Sequence, residues 1–150
     1  MNSVGDLFRS SIFWSGVGGW VVASVMKMLL NLQRTGKIDF QYLVSLGGMP
    51  SAHSAMACGL ATSVGLQEGF GSAVFVLALA FAVIVMFDAS TVRRATGQQA
   101  RLLNQIVDEL FKEHHLSEKK LRELLGHTRL EVFVGMLIGV TTGILIHALI

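Results

Sequence analysis

Cysteine, proline and charge are scarce in this chain, and each scarcity narrows what it can be. A single cysteine, Cys58, sits inside an apolar run, so no intrachain disulfide can form and no thiolate metal cluster can be assembled. Charged residues make up 15% of the 150 positions against 52% hydrophobic, a balance too apolar for an ordinary soluble domain of this size. Between Lys37 and Arg93 the only formally charged side chains are Asp39, Glu68 and Asp88, and uncharged stretches of that length read as membrane spans. The formal charge of +2, with no basic-aromatic interleaving, offers nothing to nucleic acid. No cleavable leader is expected. The first apolar run is too long, lacks a basic head and has no small-x-small site after it, so it reads as a retained span.

What is present is organised as one all-α unit over residues 1–150, a polytopic membrane helix bundle of about four membrane-embedded helices. Spans are expected at 12–32, 50–66, 72–88 and 130–150. The second is short and rich in Ala, Ser and Gly, the residues that let membrane helices approach closely. The fourth carries Gly135, Gly139 and Gly143, a four-residue stripe that offers a homodimer seam. Residues 89–128 differ in kind, being polar and charged. Within them Leu103, Ile106, Val107, Leu110 and Phe111 recur at helical spacing, and Ser117 reads as the cap of a second short helix stopped by Gly126. That insert is expected to be a helical hairpin in water or on the membrane surface.

Four crossings put the loop after the first span, the start of the second, the end of the third and the start of the fourth on one face. That face receives Arg34, Lys37 and the eight cations from Arg93 to Arg129, with Lys27 nearby, while the other receives Arg9 alone. The positive-inside rule makes the charged face cytoplasmic, at a bacterial inner (plasma) membrane.

Three groups of residues converge there. The single proline, Pro50, follows Gly47-Gly48-Met49 and suits the first turn of a helix, with Ser51 and His53 beside the helix N-terminus. Unpaired amides and the helix dipole favour an anion at such a point. Lys27 near the far end of the first span and Arg34 in the loop after it are about two helical turns apart and suit phosphate oxygens. His127 and Glu131 lie four apart, a spacing at which the carboxylate accepts the ring N–H and fixes the tautomer. Each group also has a plainer reading. Lys27 and Arg34 can snorkel to headgroups, Ser51 and His53 can cap and pack, and Thr128-x-x-Glu131 is a capping box. The capping box leaves His127 unexplained, and a glutamate can cap a helix while facing a histidine. His147, near the opposite face, reads as a packing residue.

Taken together, Lys27-x6-Arg34, Pro50-Ser51-Ala52-His53 and His127-x3-Glu131 resemble the three motifs of the type-2 phosphatidic acid phosphatase superfamily, which includes lipid phosphate phosphatases and vanadium-dependent haloperoxidases. Gly47 to Ala55, Asp88-Ala89 with Val92-Arg93-Arg94, Gly97-Gln98-Gln99-Ala100 with Leu103-Asn104, and Leu124 to Thr128 with Glu131-Val132 resemble more closely its divergent bacterial and plastid branch. The resemblance covers nearly the whole chain. It implies metal-independent, cofactor-free hydrolysis of a lipid phosphomonoester such as phosphatidylglycerophosphate or phosphatidate. By it, His127 is the nucleophile, Glu131 orients it, His53 is the general acid, and Lys27, Arg34 and Ser51 bind phosphate. Thr35 stands where the superfamily has proline, Ala52 where it has glycine and Glu131 where it has aspartate. The third motif's arginine, six residues before the histidine, is here Leu121, and the expected substitute is Arg93 or Arg94. The alternatives are a polyprenyl pyrophosphate phosphatase, if the topology is inverted, and a non-catalytic phosphate- or lipid-binding membrane protein. A transporter is disfavoured because no charge is placed mid-span as an ion path requires.

Overall fold

The computed structural model describes residues 4–36, 48–110 and 126–150, and all regular structure among them is helical. In order the elements are α1 (Val4–Leu7), α2 (Ser11–Thr35), α3 (Ala52–Glu68), α4 (Ala73–Ser90), α5 (Val92–Leu110) and α6 (Arg129–Leu149). The four expected apolar segments coincide with α2, α3, α4 and α6. By length and composition three runs can cross a membrane: α2, the stretch Ala73–Val107 that begins with α4, and α6. At 17 residues α3 spans only about 25 Å, short of a bilayer's hydrocarbon core. Of the about four membrane-embedded helices expected, three among the described residues are thus long and apolar enough to cross, and the second, expected to be short, packs among them as α3. Helix α5 covers the segment expected as the first arm of the polar hairpin, and the expected second arm, around 117–125, lies outside the described residues.

The helices start where hydroxyls can cap them. Ser10, Ser72 and Thr128 each accept from the backbone N–H three residues on, at 3.5, 3.2 and 3.3 Å. Gly36, at φ 67°, ends α2 in the left-handed conformation, its N–H donating to the Leu32 carbonyl.

Small residues decide the packing. Gly19 of α2 and Gly139 of α6 both approach the Ala55 carbonyl of α3, and Gly59 of α3 accepts the close approach of the Ser15 carbonyl. The pairs Gly135–Ser51, Gly139–Ala55 and Gly143–Gly59 advance in step, so α3 and α6 run parallel. The pairs Gly19–Ala55 and Ser15–Gly59 advance oppositely, so α2 is antiparallel to both. The glycine stripe that offered a dimer seam is thus buried against α3 of the same chain. On α4 only Ala82 and Ala89 are buried, and Leu77, Ile84 and Phe87 stand 65% or more exposed, an outer surface suited to lipid. Ala57, Cys58 and Ala61 of α3 close on Ala82, flanked by Met86 and Met136.

This order puts both ends of the described chain at one end of the bundle. At the other end lie the last turn of α2, the starts of α3 and α6 and the end of α4.

Candidate functional site

Two parallel helices begin side by side, and the site is built on their first turns. The α3 start lies two residues later than expected. Pro50 precedes the cap, through a cis Met49–Pro50 peptide, and Ser51 is the N-cap. The Ser51 hydroxyl accepts from the Ser54 amide at 3.4 Å and the Ser54 hydroxyl at 2.9 Å, leaving its own O–H as a donor. Ser51 is fully buried. Its backbone N–H donates to the Glu131 carbonyl at 3.0 Å, which locks the start of α3 to the start of α6. Gly135 permits this, because a Cβ there would collide with the Ser51 backbone.

At the α6 start both readings of Glu131 hold at once. Its Oε2 accepts from the Thr128 amide at 2.9 Å, completing a capping box, and lies 3.2 Å from Nδ1 of His127. His127 is 3% exposed, and its backbone N–H donates to the Ala89 carbonyl at 3.1 Å, pinning it to the end of α4. The ring is therefore held from the side chain and the main chain independently.

Lys27 is 4% exposed despite its charge, and its methylene stem runs beside Gly48, where an added Cβ would meet it at 3.7–3.8 Å. The Glu131 carboxylate acts on its ammonium electrostatically. A snorkelling lysine keeps its head in water, and burial of the whole side chain sets Lys27 apart from that. Arg34 lies in the last turn of α2, exposed, seven residues on. His53 is exposed in the first turn of α3. Arg93 and Arg94 occupy the second and third positions of α5, which begins three residues after Ala89. Lys27, Ser51, His53, Glu131 and His127 are thereby brought to one end of the bundle, from three helices.

The electrostatics follow from the topology. Two helix N-termini point the same way, each equivalent to about half a positive charge, and Lys27 adds a full one. Among the described residues two carboxylates lie at this end, Glu131 at the α6 start and Asp88 in the last turn of α4. The arrangement favours an anion bearing more than one negative charge. No cluster of three or more His, Cys, Asp or Glu able to hold a metal occurs among the described residues.

Sequence reasoning missed two supports. The Ala89 carbonyl that holds His127 carries no signal, because a backbone acceptor has no residue preference. Gly135 was visible in the four-residue stripe, but the stripe alone does not say whether its partner helix belongs to the same chain.

Comparison with known proteins agrees with the motifs. The family described as "Divergent PAP2 family" matches residues 8–142. The chain is 36% identical over 146 residues to the "Uncharacterized membrane protein YuiD" of Bacillus subtilis (strain 168), covering 90% of this chain and 92% of that protein. No solved structure matches.

Proposed function

The chain belongs to the divergent PAP2 family, and from that premise we propose that it is a membrane lipid phosphatase acting through a phosphohistidine on His127. The observation that carries this reading is the 3.2 Å pairing of a buried His127 with Glu131, beside a buried lysine and two convergent helix starts. A binding protein needs the cations and can use Glu131 as a cap, whereas a buried histidine paired with that carboxylate suits a nucleophile.

The chemistry runs in two steps. With Nδ1 turned to Glu131, the attacking atom is Nε2 of the neutral imidazole. It forms the N–P bond in line as the P–O bond to the lipid breaks, while His53 protonates the departing oxygen. Water, deprotonated by His53, then cleaves the N–P bond and frees phosphate. Lys27, Arg34, the Ser51 O–H and the α3 amides stabilise the charge on the equatorial oxygens. A buried nucleophile and an exposed acid suit a substrate whose leaving group points out of the site. The substrate class is a lipid phosphomonoester, phosphatidylglycerophosphate or phosphatidate. Arg93 or Arg94 supplies the arginine absent at Leu121. Single Arg93→Ala and Arg94→Ala variants should show a loss of about tenfold or more in phosphate release for one of the two, and full activity in both would remove this assignment.

The test is phosphate release from a panel of lipid phosphates in the presence of EDTA. Activity that persists in EDTA supports the reading, and activity abolished by EDTA and restored by a divalent cation contradicts it. Thr128 and Glu131 separate the cap from the chemistry. Thr128→Ala should lower stability by about 1 kcal/mol with activity largely retained. Glu131→Gln, which keeps a cap acceptor, should lower kcat about a hundredfold or more with little change in unfolding temperature. Equal effects of the two variants on activity would reduce Glu131 to a cap.

The proposed site face is cytoplasmic in a bacterial inner membrane, on the weight of Lys and Arg at that end. Cysteine introduced at Glu68 should react with an impermeant maleimide in intact cells, and cysteine at Arg101 should not. Reaction at Arg101 alone would invert the topology and favour a polyprenyl pyrophosphate as substrate.

A further inference from the structure

At the end of the bundle away from His127 a second polar recess opens, unused by the reading above. It measures about 580 Å³ and is lined by Asp6, Arg9, Ser11, Gln67, His147 and Ile150 among others, a volume within the range of roughly 300–1,000 Å³ typical of small-ligand sites. Its floor joins three helices. The Ser11 hydroxyl of α2 donates to Oε1 of Gln67 on α3 at 3.4 Å and lies 3.5 Å from Nδ1 of His147 on α6.

The polarity does not stop at that floor. Ser15 and Ser63 stand one turn further in from Ser11 and Gln67, wholly buried, and their hydroxyls have no hydrogen-bond partner in the protein. Buried hydroxyls are ordinarily satisfied, so the polar character of this end continues one turn inward from the recess floor. The rim is amphipathic. Leu7 and Phe8 are about half exposed, Phe8, Phe13 and Trp14 stack edge to face, and the Trp14 indole N–H donates to the Phe8 carbonyl at 2.8 Å. Aromatic side chains of this kind mark the membrane–water boundary, so the recess lies at headgroup depth.

Both signs of charge meet in it. The start of α2 and Arg9 present positive potential, whereas the ends of α3 and α6 and the Asp6 carboxylate present negative potential. Glu68, within 3.5 Å of Gln67, adds a second acid at this end, and among the described side chains Arg9 is the fully charged base there. A headgroup carrying only negative charge matches half of this lining. We infer that the recess binds the headgroup of a zwitterionic, amine-bearing phospholipid, with phosphate toward Arg9, Ser11 and the α2 start and ammonium toward Asp6 and the ends of α3 and α6. The site is independent of the proposed catalytic centre and faces the opposite leaflet.

The experiment is native mass spectrometry of the full chain in detergent with equimolar phosphatidylethanolamine and phosphatidylglycerol of matched acyl chains. The wild type should retain the ethanolamine lipid in preference by about fivefold or more. Asp6→Asn should shift that preference toward phosphatidylglycerol, and Arg9→Gln should lower retention of both lipids. Both positions are exposed, so unfolding temperatures should match the wild type. The wild-type ratio needs no variant: equal retention, or preference for phosphatidylglycerol, overturns the inference. So do variants that fold and retain lipid like the wild type.

Discussion

His127→Ala should release phosphate from its lipid substrate at least about a thousandfold more slowly than the wild-type chain. The loss should fall on kcat, because the residue removed is the proposed nucleophile while the cations proposed to bind ground-state phosphate remain. The substitution leaves the fold nearly untouched. The backbone N–H of residue 127 can still donate to the Ala89 carbonyl, and Glu131 can still cap α6 through Thr128. What disappears is one imidazole and its contact with Glu131. His53→Ala should behave differently, losing most with substrates whose leaving alkoxide is most basic and least with aryl phosphates, since its proposed work is protonation of the leaving oxygen. Equal losses on both substrate types would remove His53 from that role.

Gly139→Leu should destabilise the bundle by about 3 kcal/mol or more, read as a lowered unfolding temperature in detergent with loss of activity as a consequence. A Cβ at position 139 would collide with the Ala55 carbonyl, and Gly19 presses on that carbonyl from α2, where a Cβ would lie 2.6 Å away. The α3 backbone is held from two sides and has no room to retreat, so α6 must move outward. That movement would also pull the Glu131 carbonyl from the Ser51 amide and part the two helix starts. Gly71→Leu is the control. Nothing lies within 4 Å of a Cβ there, and its effect should be within about 0.5 kcal/mol of zero. Comparable destabilisation by both substitutions would show that general glycine replacement, and not the contact at Ala55, governs stability.

Much of this arrangement was legible in the residues, for definable reasons. Apolar runs located α2, α4 and α6, because long uncharged stretches have few other uses, and the Thr128-x-x-Glu131 box marked the start of α6; the Ser10 and Ser72 caps emerged only in the structure. The pairing of His127 with Glu131 followed from a four-residue spacing across one helical turn. The role of α3 was harder to read. Its 17 residues look like a short span, and only the approach of Ser15, Gly19, Gly139 and Gly143 from two neighbours shows it enclosed. The glycine stripe of α6 was visible as a seam, but whether its partner is another copy or the same chain depends on contacts distant in sequence. Ser51 was legible as polar at a helix start. Its burial and its backbone bond to Glu131 were not, because they depend on two helices beginning at the same depth.

The central claim, that a phosphoryl group passes through His127, is tested most directly by trapping the enzyme during turnover of a ³²P-labelled lipid phosphate. The account predicts protein-bound label that is acid-labile and stable to base, maps to the peptide containing residue 127 and is absent from His127→Ala. Turnover with no protein-bound label in the wild type or in His53→Ala, or label undiminished in His127→Ala, would contradict it.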